Sequence, residues 1–286
     1  MNRRNFLSKT AAGLGATCLA GPHALAELLV LDSPHRVEAT DPVVLGKTGI
    51  RTSRLAMGTG TIGFGGSSNQ TRAGDLTRLL RTGYDRGLTL FDTADSYGSH
   101  PEVAEAVSKL PRDKVVIMTK CDSRDPKQAK ADIDRYRREL KTDFIDILLI
   151  HCVTEGDWTS RYRGVMDVFS EAKQKGIIRA HGVSCHSIEA LRAAAASPWV
   201  DIDLVRLNPV GAHMDADPQT VINVIKEMRA QGKGILGMKI LGQGAMRKRQ
   251  DEAIRFALGT GVLDAFTIGA ENESEQSDLI RRVAAA

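Results

Sequence analysis

Cysteine is scarce in this 286-residue chain, four in all, and Cys18 falls in a leader-like stretch. The remaining three, Cys121, Cys152 and Cys185, are an odd number with no Cys-x-x-Cys spacing, so neither a disulfide framework nor a zinc-finger pattern is visible. Charge of one sign is also lacking. The formal net charge is +4, and lysine and arginine are scattered among the acids rather than gathered in a stripe, which argues against nucleic acid as a partner. The apolar part of the leader is too short and glycine-rich for a lasting membrane anchor. Gly-x-x-x-x-Gly-Lys-Thr is missing around Lys47-Thr48, so that turn is no phosphate loop. Gly58-Thr59-Gly60-Thr61-Ile62-Gly63 has the outline of a dinucleotide fingerprint, but no acid follows about twenty residues on at the end of a second strand.

What is present reads in three parts. Residues 1–26 carry Arg3-Arg4, Phe6-Leu7 and Lys9, then an Ala/Gly/Leu stretch, then Ala24-Leu25-Ala26. This pattern looks like a twin-arginine export signal cleaved after Ala26, which implies contact with the translocation machinery and a periplasmic or otherwise exported destination. Thr17 before Cys18 lacks the small residue of a lipoprotein box. Residues 27–41 form a polar linker, and residues 42–286, within a chain of 42% hydrophobic content, suffice for one large α/β unit.

That unit opens with apolar runs bracketing Gly46-Lys47-Thr48-Gly49, a hairpin signal. Eight β-rich runs follow, at residues 54–59, 89–93, 115–120, 145–151, 180–184, 204–208, 235–240 and 265–268. Several are separated by apolar residues at helical spacing, such as Leu76, Leu79 and Leu80, or Val221, Val224, Ile225 and Met228. Repeated strand and helix alternation implies a parallel sheet, and eight of each predicts a (β/α)8 TIM barrel.

The chemistry concentrates at strand ends. Asp92 leaves the second run and Tyr97 follows in the next turn; Lys120 ends the third run and His151 the fourth. In a parallel barrel these ends share one face, so the four side chains converge. Alternation along the strands places Lys120 above Met118 and Val116, and His151 above Leu149 and Ile147, with Cys121 and Cys152 pointing away from the pocket. A phenol beside a lysine, with an acid to hold the lysine and an imidazole to polarise a carbonyl, suits proton delivery to a developing alkoxide.

This Asp-Tyr-Lys-His set, in this order, resembles the aldo-keto reductase superfamily over roughly residues 43–280. The resemblance implies reduction of small carbonyl substrates with NADH or NADPH, with Asp92, Tyr97, Lys120 and His151 catalytic, Tyr97 as general acid and neutral His151 as hydrogen-bond donor. It also implies a hairpin closing the barrel bottom. For the cofactor it points to Gly58 and Thr59, and to Ser184 and Cys185 at the carboxamide, where Cys185 replaces the family's Asn. Leu204 stands where Gln is frequent. Met238 takes the place of the usual aromatic against the ring, with Lys239 beside it, and Gly269, Ala270, Asn272 and Glu275 mark the adenosine end. The acids Glu271, Glu273 and Glu275 favour a free ribose hydroxyl over a 2′-phosphate. Phe64 and Trp158 are expected to wall the substrate pocket, and Trp199 to lie at the opposite end.

Three other readings fit parts of the pattern. Lys120 or Lys239 on a barrel strand suits a Schiff-base lyase. Cys121, His151, Cys152, Cys185 and His186 suggest a metal site, but neighbours on a strand face opposite ways and do not ligate together, so no metal is expected. The departures at Cys185, Leu204 and Met238 suit a cofactor-free binding barrel.

Overall fold

The structure, a computed structural model, describes residues 36–286, so the segment expected to be a twin-arginine leader and most of the expected linker lie outside the described residues. The hairpin comprises β1 (Pro42–Val44) and β2 (Arg51–Ser53), paired antiparallel. Eight strands then close a barrel: β3 (Leu55–Gly58), β4 (Leu90–Asp92), β5 (Val116–Cys121), β6 (Ile145–Val153), β7 (Ile178–Cys185), β8 (Ile202–Arg206), β9 (Gly234–Met238) and β10 (Ala265–Ile268). They run in sequence order, all parallel, and β10 returns to β3. The fold is the (β/α)8 barrel that the alternation of strand and helix signals predicts.

Two cores result from the strand period of two. Inside the barrel, Val116 and Met118 of β5, Ile147 and Leu149 of β6, Leu204 of β8 and Met238 of β9 pack together, and Leu45 and Ile50 from the hairpin join the same cluster. The hairpin therefore closes the N-terminal end of the barrel with two fully buried side chains. Outside, the short polar α1 (Asn69–Ala73) adds nothing to the core, and the alternate strand residues meet the apolar side chains of the helices α2 (Leu76–Asp85), α3 (His100–Val107), α4 (Pro126–Glu139), α5 (Trp158–Arg161), α6 (Arg163–Gln174), α7 (Ile188–Ala196), α8 (Pro218–Ala230), α9 (Gln250–Gly259) and α10 (Glu273–Ala284). Side-chain caps start several of these: Asp125 accepts from the Gln128 amide at α4 and Asn272 from the Glu275 amide at α10.

Two strand boundaries differ from the sequence pattern for physical reasons. Strand β8 begins earlier, at Ile202, because Asp203 is fully buried within it and accepts from the Cys185 thiol at 3.3 Å. A buried acid interrupts the apolar pattern without interrupting the strand, and burial pushes its pKa up to about 8. Strand β9 stops at Met238 because Lys239 adopts a left-handed φ of 57°. Among the described residues no helix is long and apolar enough to cross a membrane.

Candidate active site

The four strand-end residues converge at the C-terminal mouth of the barrel. Asp92 ends β4, Lys120 stands near the end of β5, His151 lies in β6, and Tyr97 closes a short 3-10 turn, Asp95–Tyr97, just after β4. The Lys120 ammonium donates to Asp92 Oδ1 at 2.5 Å and to the Thr93 carbonyl at 2.8 Å, and lies 4.7 Å from the centre of the Tyr97 ring. Lys120 is only 1% exposed. Burial alone would lower its pKa, but the charge of Asp92 and the neighbouring phenol outweigh it and hold the ammonium above its ordinary value. A network of hydroxyls fixes the strand end: Thr59 donates to the Asp92 carbonyl at 2.9 Å, and both Thr59 and Thr93 meet Ser99.

Tyr97 is seated against glycine. A Cβ on Gly60 would come within 2.3 Å of the phenol ring, and one on Gly63 within 2.6 Å. Gly60 and Gly63 of the fingerprint-like run thus leave room for the ring, a use that the spacing alone does not disclose. Burial raises the phenol pKa and Asp92 adds to the rise; the Lys120 charge pulls it down without cancelling it. The resting group is a protonated phenol with a cation beside it, the state a proton donor requires.

His151 has a partner that the four-residue pattern does not include. Its Nδ1 is 2.7 Å from Asp122 Oδ1 and 3.5 Å from the Ser96 hydroxyl. A carboxylate only accepts, so Nδ1 carries a proton, and a neutral ring would then offer a bare Nε2. Burial lowers the imidazole pKa, but hydrogen bonds to Asp122 and Cys152 outweigh it and the net shift is upward. The neutral donor expected from the sequence is therefore corrected: with Nδ1 committed to Asp122, only the imidazolium has a second N–H for a carbonyl oxygen.

These groups open on a cavity of about 700 Å³, within the range of small-molecule and cofactor sites. Asp92, Tyr97, Asp122 and His151 line one end, Leu204 and Met238 lie toward the barrel interior, and Gly269 and Glu271 mark the far end near α10. The family model of the aldo/keto reductases matches residues 56–263. The chain belongs to the aldo/keto reductase family.

The chain is 32% identical over 161 residues to the aldo-keto reductase YhdN of Bacillus subtilis, covering 50% of the chain and 46% of that protein. It is 29% identical over 170 residues to the NADH-specific methylglyoxal reductase of Escherichia coli, covering 50% of the chain and 51% of that protein. The matched segments thus span about half the length of these relatives. In fold it resembles the holo form of an aldo-keto reductase from Bacillus halodurans, with a TM-score of 0.70 at 17% identity, over 86% of this chain and 92% of that one.

Within the barrel, strand parity sorts the other expected site residues. Gly58, Phe64, Met238, Lys239 and Gly269 face the cavity. Thr59 and Cys185 do not: Thr59 is spent on Asp92 and Ser99, and Cys185 is turned outward to Asp203, one residue out of phase with Ser184. Ser184 is fully buried, and its hydroxyl accepts from the Cys152 amide at 3.0 Å. The Ala270 carbonyl accepts from Gln70 at 3.3 Å. Asn272 caps α10, while Glu275 reaches back to the Glu271 amide at 2.9 Å and to Asn272 at 3.1 Å, a reciprocal cap in place of a free carboxylate. Trp158 is corrected outright: it is fully buried in the helical layer, donates to the Ala190 carbonyl at 3.2 Å and packs edge-on to Trp199, so it walls no pocket.

Cys152 is a third correction. It faces the cavity, because a left-handed φ of 50° and a register shift between Ile150 and Val153 break the alternation there, whereas Cys121 stays buried in the outer core as parity requires. Asp122, which the sequence reading did not single out, also lines the cavity, as does His186, which it considered only as a metal ligand. Asp122 was findable, since it lies two residues after Lys120 and so faces the same way. The turn at Cys152 carries no sequence signal. Of the two lysines considered for a Schiff base, Lys120 is held protonated by Asp92, whereas Lys239 faces the cavity and burial lowers its pKa. Among the described residues the one cluster with metal-ligand spacing is Asp95, His100 and Glu139, and Arg135 pairs with Asp95 at 2.7 Å and with Glu139 at 3.0 Å.

Proposed function

We propose that this protein reduces small aldehydes or ketones to alcohols with a reduced nicotinamide dinucleotide. The observation that carries the reading is the buried Asp92–Lys120 pair set under the Tyr97 ring at the edge of the cavity. The cavity wall is compatible with the cofactor: Leu204 and Met238 offer an apolar face for the ring, a thioether being able to cover it. Gly269 and Glu271 stand where the adenosine end would be held. The bound dinucleotide supplies the hydride. Tyr97 delivers its proton to the carbonyl oxygen as negative charge builds, Lys120 stabilises the phenolate left behind, Asp92 holds Lys120 charged, and His151 with Asp122 orients and polarises the carbonyl.

For the cofactor, the proposal is that NADH is accepted at least as well as NADPH. Glu271 faces the cavity and accepts from the Asn69 amide at 2.6 Å, placing a carboxylate where a 2′-phosphate would need a cation. Of the cations nearby, Arg78 is paired with Asp75 and Glu273, each at 3.1 Å, Arg86 donates to the Gln276 side chain at 3.2 Å, and Arg72 donates to Ser67 at 3.0 Å and to Asn69. Titrating nicotinamide fluorescence with both dinucleotides at low salt, then following their oxidation with methylglyoxal and other small aldehydes, tests both statements. Absence of binding to either dinucleotide contradicts the first. A preference for NADPH above about tenfold, roughly 1.4 kcal/mol, contradicts the second. Export through the twin-arginine route is also proposed, on Arg3-Arg4 and Ala24-Leu25-Ala26. Replacing both arginines with lysine is expected to leave the precursor in the cytoplasm, and normal export of that variant would contradict it.

A further inference from the structure

Cys152 and His186 form a pair that carbonyl reduction does not use. Cys152 is exposed, and its left-handed backbone sets the residue on the cavity wall beside His151 and Lys239. His186, the residue after β7, places Nε2 3.7 Å from Cys152 Sγ, and its Nδ1 donates to the Ser184 carbonyl at 3.3 Å. A carbonyl oxygen only accepts, so that bond fixes the tautomer and leaves Nε2 bare toward the thiol. A thiol facing an imidazole lone pair, with the imidazole oriented by a third group, is the arrangement of an activated nucleophile. The backbone is held in this shape from the other side, where the Cys152 amide donates to Ser184 Oγ.

We propose that Cys152, activated by His186, is a covalent capture site for α,β-unsaturated aldehydes entering the cavity. The thiol proton passes to His186 Nε2 and Sγ bonds to the β-carbon. The carbon–carbon π pair moves to the α-carbon as an enolate, and the α-carbon takes the proton back from His186. Thiol and aldehyde combine into a saturated thioether aldehyde without oxidant or leaving group. Saturated aldehydes have no conjugated double bond, so their β-carbon is not electrophilic and the thiol is left free. The groups around Sγ favour the thiolate: burial opposes it, but His151 and His186, the latter donating from Nε2 once it has taken the thiol proton, outweigh burial and bring the pKa to about 5, and Lys239 adds positive charge from beyond β9.

The test uses the full-length protein at pH 6 with 2-propenal, with propanal as the saturated control and N-acetylcysteine as an internal reference thiol. Cysteine-containing peptides are quantified over time by mass spectrometry, a readout that needs no turnover and so stands apart from the reductase reading. The Cys152 peptide is expected to gain one propenal equivalent at least tenfold faster than the reference thiol, with no stable adduct from propanal. His186→Ala is expected to cut that rate at least tenfold, and His186→Asn, which keeps a polar side chain but no base, to do the same. Because the wild-type comparison stands without either variant, a folding defect in one leaves the test decisive. A Cys152 rate no greater than the reference thiol, or one unchanged in a folded His186 variant, overturns the proposal.

Discussion

Replacing Asp122 with Asn separates the charged from the neutral state of His151. The imidazole and carboxylate meet at 2.7 Å, which puts their charge centres about 4 Å apart, where an effective dielectric of about 20 gives roughly 4 kcal/mol. Asp122 is 45% exposed, so solvent screening reduces the net value to about 1 kcal/mol, the scale of a wet ion pair. The pH at which that energy is present follows from the directions of the two shifts. The His151 pKa is raised in the folded protein, despite the opposing effect of burial, by Asp122 and Cys152. Its contribution is therefore complete below the unfolded histidine value of about 6.5 and is lost as pH rises through the folded pKa. The Asp122 pKa is lowered, against burial, by His151 and Arg124. Its contribution is present above the unfolded carboxylate value of about 3.9 and is lost on acidification through the folded pKa. At pH 5.5 both charges are in place, and the imidazole gives up its charge as pH rises through its raised folded pKa. Urea unfolding of wild type and Asp122→Asn over a pH series upward from 5.5 is expected to show a cost that is about 1 kcal/mol larger at the acid end and declines as pH rises. A cost that is unchanged across the series, or that grows with pH, would refute the charged pair.

Two further perturbations address the rest of the site. Asp92→Asn leaves the fully buried Lys120 ammonium without its counter-charge and is expected to cost about 3–5 kcal/mol in urea unfolding. Combining it with Lys120→Met is expected to cost less than the sum of the single changes, and strict additivity would count against the pair. Gly60→Ala places a methyl 2.3 Å from the Tyr97 ring and is expected to lower carbonyl reduction at least tenfold, a loss of roughly 1.4 kcal/mol in transition-state stabilisation, while nicotinamide binding persists. Unchanged turnover would mean that the ring has room to yield.

The barrel was legible because its signals repeat. Eight apolar runs and the helical stripes between them agree, and a single buried acid such as Asp203 shifts a strand boundary without disturbing the count. Asp92, Lys120 and His151 were legible because a strand end fixes both position and direction. Inward parity also accounts for Met238, and outward parity places Thr59 and Cys185 behind the wall. Cys152 was not legible, since one residue at φ 50° reverses its direction and nothing local demands that turn. Trp158 was misplaced because loop side chains have no period to follow, and the space under α7 accommodates its indole. Gly60 and Gly63 suggested a phosphate fingerprint by spacing alone, whereas what they admit is the Tyr97 ring, from a turn far along the chain.

The most direct test of the account is Tyr97→Phe. The change removes one hydroxyl and retains the ring that lies against Gly60 and Lys120. Single-turnover reduction of methylglyoxal by preloaded dinucleotide is the measurement, with fluorescence titration reporting dinucleotide affinity on the same samples. The account predicts a rate lower by about 10²-fold or more, the scale of a lost general acid, with affinity nearly unchanged. A rate close to wild type in a variant that binds the dinucleotide normally would contradict Tyr97 as the proton donor.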